Sequence, residues 1–133
     1  MGHGPGFADA NSPLPGLAIS LKQYQTHGIA ASKIVMGLPW YGYDYTCDDS
    51  GKVAIPGSPC KVAGGSVRRS GVAVQVPYWK QLRLLRSNLS TTALLFNNTV
   101  ATSWFDYVPN RTAGIRHQVW MYVTFAHLLL AFE

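Results

Sequence analysis

With 133 residues, 47% of them hydrophobic, the chain holds apolar material for one modest core and not for two. Its net charge of +5 comes from arginines and lysines dispersed along the sequence, with Arg68-Arg69 the longest basic run, which argues against a nucleic-acid-binding stripe. The apolar run from Val119 to Phe132 is too short to cross a bilayer and is broken by Thr124 and His127, so no membrane span is expected.

In chain order, the opening "MGHGPGFADANSP" has neither a basic n-region nor an apolar h-region and does not read as a signal peptide. Leu14, Leu17, Leu21 and Tyr24 fall on one face of a helix, with Gly28 suited to the left-handed position past its end and Ile29 placed to complete a Schellman motif. Ile34, Val35 and Met36 then read as a buried strand that ends near Leu38, because Pro39 cannot continue a central ladder. A helix followed by a short loop and a strand is one step of a parallel α/β sheet. Trp40, Tyr41, Tyr43 and Tyr45 follow, just past the expected carboxyl end of that strand, where ligands bind in such folds.

From Asp48 to about Gly71 the composition is that of a loop. Cys47 and Cys60 flank a stretch with two glycines and two prolines that a disulfide can close. Three N-x-[ST] sequons, at Asn88, Asn97 and Asn110, point with those cysteines to a lumenal or extracellular parent protein. Tyr78, Leu82, Leu85 and Leu89 mark a second helix with Pro77 in its first turn. "SWFDYV" and "RHQVW", separated by "PNRTAGI", read as a β-hairpin.

Titratable groups are few. No H-E-x-x-H, C-x-x-C, phosphate loop or G-x-S-x-G is present, so metal, nucleotide and serine-hydrolase chemistry have no anchor. His27 and His117 read as structural or exposed histidines and Asp48-Asp49 as a solvated loop pair. Asp44, inside the aromatic cluster, is the carboxylate most like a site residue, with turn capping as the competing role. Clustered Trp and Tyr beside a carboxylate suit a sugar groove, and they equally suit a packed core.

The stretch "KIVMGLPWYGYDYTC", with the upstream "ADANSPL" and the later "VPYWKQL" and "HQVW", resembles the seventh-strand region of glycoside hydrolase family 18, from about Ala8 to Trp120. The resemblance implies an α/β fold, a partial (β/α)8 TIM-barrel fragment with an α+β insertion: a barrel helix-strand unit over 8–47, the insertion over 48–120 and a divergent tail over 121–133. It implies hydrolysis of β-1,4-linked N-acetylglucosamine oligosaccharides, with the chitobiose core as partner, no cofactor and a lysosomal or extracellular parent. Tyr41 would contact the sugar, with Trp40, Tyr43 and Asp44 flanking. The family's D-x-x-D-x-D-x-E motif, whose Glu is the general acid, has no counterpart, and Glu133 stands in an unrelated tail, so no catalytic residue is assigned and the chain is expected to be inactive alone. Two other readings stand beside this: a non-catalytic carbohydrate-binding module, and a gene fragment with foreign ends and no activity. A lone parallel strand with unpaired edges implies low stability.

Overall fold

The computed structural model describes residues 6–37, 39–50, 54–65, 72–110 and 112–121. Leu38, Arg68-Arg69 and the tail from 122 on, with Glu133, lie outside them.

The first helix, α1, runs Leu14–Thr26. Its end is the expected Schellman motif. Gly28 adopts φ +83°, the Gly28 N–H donates to the Gln25 carbonyl at 3.0 Å, and the Ile29 N–H donates to the Tyr24 carbonyl at 3.1 Å. His27 closes the same end, with its Nδ1 2.8 Å from the Gln23 carbonyl oxygen. No residue of α1 is buried, and a hydrogen bond from the Leu14 N–H to the Val100 carbonyl ties its start to the rest of the molecule.

The strand expected over Ile34 to Leu38 is not formed. Ala31–Lys33 make one 3₁₀ turn, residues 34–37 carry no regular structure, and Val35 is 93% exposed. An apolar run becomes a strand only where neighbouring strands satisfy its backbone, and none is offered to it among the described residues. The strand begins instead after Pro39. β1, Tyr41–Thr46, is the aromatic segment itself, whose β-favouring tyrosines alternate with small and polar residues at period two. The tyrosines therefore build a strand rather than the loop beyond one.

β1 joins β2 (Ala73–Pro77), β3 (Leu95–Asn97), β4 (Thr102–Tyr107) and β5 (His117–Trp120) in an antiparallel sheet of order β2-β1-β5-β4-β3. β1 is paired on both sides, opposite β2 with Tyr43 facing Gln75 and opposite β5 with Tyr43 facing Trp120. The β4–β5 hairpin forms as read, with Tyr107 opposite His117 and Trp104 opposite Trp120. β2 and β3 went unread because "AVQVP" ends on a proline and "LFN" is only a half-turn of signal, while both are edge strands that lean on a neighbour. Pro77 closes β2 and serves as N-cap of α2 (Tyr78–Leu85), one position before the first turn, and Leu89 falls past the end of that helix.

Each sheet face is covered. On one, Tyr45, Trp120, Val62, Val72, Val100, Ala8 and the Cys47–Cys60 disulfide form a core against which Tyr43 and Trp104 pack. On the other, Phe105, Tyr107 and Val119 meet Leu84, Leu85 and Leu89 from α2 and the turn after it. The disulfide read from the sequence is present, with its Cα atoms 5.2 Å apart. Gly42 is fixed by close approach, since a Cβ there would stand 2.3 Å from the Trp120 carbonyl oxygen and 2.9 Å from Gln81 Nε2.

Candidate functional site

Strand alternation divides the aromatic cluster. Tyr41, Tyr43 and Tyr45 share one face of β1, with ring centroids 6.0 Å and 6.4 Å apart along the series. Asp44 lies on the opposite face. Trp40, just ahead of the strand, is 71% exposed and meets Tyr78 edge-on at 5.7 Å, while the Tyr78 N–H donates to the Trp40 carbonyl at 2.9 Å. The start of β1 and the start of α2 are thus pinned together, and Trp40 stands outside the joint. Going inward, the rings are progressively committed to the core: Tyr43 packs against it, and Tyr45 is buried with its hydroxyl donating to the Asp9 carbonyl at 3.3 Å. Burial, helped by the neighbouring Tyr43 and Asp9, pushes the Tyr45 phenol up to about 12.

Asp44 is the hub of a second cluster on the other face. Its Oδ1 is 2.9 Å from His117 Nδ1, and its Oδ2 accepts the hydroxyl proton of Tyr107. Burial, reinforced by the hydrogen bond to Asp44, raises the Tyr107 phenol well above the ordinary tyrosine range, so Tyr107 remains a neutral donor. Both oxygens of Asp44 are therefore engaged within the fold, bracing β1 against the β4–β5 hairpin. Sequence reasoning placed Asp44 beside the tyrosines by proximity; the period of a strand puts it across the sheet from them.

A third group escaped the sequence reading. Arg116, at the entrance to β5, is 2% exposed. Its Nε and Nη2 bind the two carboxylate oxygens of Asp49, each at 2.9 Å, and its Nη1 reaches Asp106 Oδ2 at 3.0 Å. Nη1 and Nη2 also donate to the Ser58 and Pro59 carbonyls at 2.8 and 3.1 Å. Asp106, fully buried, accepts further hydrogen bonds from the Gly57 N–H at 2.7 Å and Gln118 Nε2 at 2.9 Å. Burial alone would lower the Arg116 pKa, but the two carboxylates more than offset it, and the guanidinium stays charged. Asp49 is thus an ion-pair partner and not half of a solvated loop pair. Its signal in the sequence was one Arg and two Asp separated by tens of residues, which no local pattern joins.

Among the described residues no set of three His, Cys, Asp or Glu side chains is gathered to hold a metal ion. Chemically, the exposed edge around Trp40 and Tyr41 can stack on flat apolar faces and hydrogen-bond hydroxyls, while the carboxylates are spent on internal pairing.

No family model matches the chain. In structure it resembles the protein YdhD of Bacillus subtilis, with TM-score 0.64 and 15% identity over 98% of this chain and 36% of that one. It also resembles the spore cortex-lytic enzyme SleL of Bacillus megaterium QM B1551, with TM-score 0.59 and 24% identity over 92% of this chain and 23% of that one. At these identities the likeness is one of fold alone. In sequence the chain is 34% identical over 122 residues to the di-N-acetylchitobiases of Rattus norvegicus and Homo sapiens and 35% identical to that of Mus musculus, each match covering 86% of the chain. The resemblance to glycoside hydrolase family 18, and within it to di-N-acetylchitobiase, is therefore borne out. The chain spans about 30% of the length of these relatives.

Proposed function

We propose that the chain is part of a glycosidase acting on β-1,4-linked N-acetylglucosamine oligosaccharides, that it forms one wall of the sugar-binding cleft, and that it does not cleave substrate alone. The observation that carries this reading is the 34% identity to di-N-acetylchitobiases across 86% of the chain. Here α1 is a barrel helix, Ile34–Met36 is the seventh strand of a TIM barrel, forming only beside other barrel strands, and the antiparallel sheet with α2 is the α+β insertion. The solvent-facing apolar side chains of Val35 and Met36 support it. The disulfide and the three sequons support a lysosomal or extracellular parent.

In this wall Tyr41 contacts the sugar, Trp40 offers the exposed stacking face, and Tyr43 backs both from the core. Asp44 serves as the brace that holds β1 in place. Glycosidic cleavage needs a proton delivered to the leaving oxygen by a group of suitably raised pKa. The paired Asp44, Asp49 and Asp106 are poor candidates for that task. The same observation favours, as the second reading, a carbohydrate-binding module without catalysis.

A fluorogenic chitobioside and unlabelled chitobiose put both readings to the test. Saturable binding of chitobiose without fluorophore release is expected, and Trp40→Ala should weaken it roughly fivefold, the worth of about 1 kcal/mol of ring stacking. Release of fluorophore that vanishes in Tyr41→Ala would overturn the claim of inactivity, and absence of binding in a folded chain would sink both readings.

A further inference from the structure

We propose that the groove on the outer side of α2 is the seat of an N-linked glycan attached to Asn88, whose first β-linked N-acetylglucosamine residues lie along the helix and cover Trp79. The inference rests on the exported character argued above. Asn88 heads the sequon Asn88-Leu89-Ser90 and is exposed in the turn that follows α2. Its chain neighbours, Ser87 and Leu89, both line a groove of about 230 Å³ whose other walls are Trp79, Lys80, Arg83 and Leu84. The turn is held in shape by Ser87, whose Oγ donates to the Leu84 carbonyl at 2.7 Å and accepts from the Leu89 N–H at 3.2 Å. A sugar leaving Asn88 therefore starts at the mouth of the groove.

The lining suits that occupant. Trp79 and Arg83 stand one turn apart on α2, and both line the groove with Ser87 from the turn beyond it. The helical part of this wall, from Trp79 to Leu85, runs about 9 Å at 1.5 Å per residue, a distance for more than one pyranose. Trp79 is 63% exposed, an indole with no part in either core cluster. Its face suits the C–H side of a pyranose. Lys80 and Arg83 supply donors for acetamide carbonyl and hydroxyl oxygens, and Leu84 and Leu89 supply apolar surface for the acetyl methyl. The other sequons are differently placed. Asn97 ends β3 and Asn110 follows β4, and among the described residues no chain neighbour of either lines this groove.

The test is secretion of the full chain from a eukaryotic host behind a cleavable leader. Glycan occupancy is mapped by mass spectrometry, and hydroxyl-radical oxidation of Trp79 is compared in the Asn88 glycoform, the enzymatically deglycosylated chain and Asn88→Gln. The expected result is an occupied Asn88 and several-fold slower oxidation of Trp79 in the glycoform alone, with Trp40 oxidised equally in all three. Equal oxidation of Trp79 with and without the glycan overturns the proposal. So does an empty Asn88 in a chain glycosylated at Asn110, which would leave the exported reading intact, whereas no glycan at any sequon would count against both.

Discussion

The stretch from α1 to Met36 and the antiparallel sheet are both rich in apolar residues, yet they spend them in opposite ways. In α1 no residue is buried, Ile19 and Tyr24 face solvent, and the apolar run after it forms no strand. In the sheet, a comparable density of apolar residues closes two cores and a buried arginine finds carboxylate and carbonyl partners. The difference lies in partners rather than in propensity. Amphipathic elements become stable when their apolar side meets another surface within reach. The sheet carries its own complement, and among the described residues α1 has none.

Substitutions should therefore be costly in the sheet and cheap in α1. Replacing Arg116 by Met strands Asp106 and Asp49 as unpaired carboxylates in or near the interior, and is expected to cost about 3–5 kcal/mol, much of the stability of an ordinary small domain. Urea denaturation followed by circular dichroism reads it directly, and a midpoint near that of the parent chain would show the network to be dispensable. Opening the Cys47–Cys60 bond by double substitution to Ser should remove about 3 kcal/mol, since the bond spans 13 positions and carries the Gly57–Pro59 segment that lines Arg116. Gly42→Ala forces a methyl against the Trp120 carbonyl and should cost about 1–3 kcal/mol, visible as a lowered melting temperature.

Alkaline titration offers a finer probe. The unfolded Tyr45 phenol ionises near 10, but burial holds the folded one up to about 12. Stability from this difference is whole below pH 10 and is lost as the pH rises through about 12. Tyr45→Phe should flatten that slope, and an unchanged alkaline limb would mean the phenol is not shielded as drawn. The smallest effect is expected at Ile19→Ala on α1, within about 0.5 kcal/mol, because the side chain is already exposed. A cost of the size seen at Gly42 would reveal that α1 is covered by something outside the described residues.

Local signals carried furthest where structure is local. The Schellman end at Gly28, the second helix after Pro77, the β4–β5 hairpin and the Cys47–Cys60 bond were all legible because each is specified within a few to a few tens of residues. The strand read at Ile34–Met36 is not formed here because a hydrophobic run reports the wish to be buried and says nothing about who will bury it. At the candidate site, the tyrosines were found by composition, but Asp44 was assigned to their company by adjacency when the strand period sends it across the sheet to His117 and Tyr107. Arg116 was invisible for a further reason. Its partners Asp49 and Asp106 lie 67 and 10 positions away, brought together only by the full sheet.

The strand order has a consequence for how the molecule is made. β5, the last of the five in sequence, sits in the middle, between β1 and β4. The hairpin it forms with β4 can close early and locally, but its other edge must capture β1 from more than seventy residues upstream, as the pairing of Thr46 with His117 requires. On a ribosome, β1 and β2 emerge with one edge of β1 open, and the sheet is completed only once Trp120 has left the exit tunnel. Such long-range pairing belongs to the slower class of folding topologies, and until it happens the row of tyrosines is an exposed edge that a chaperone or a neighbouring nascent chain can seize.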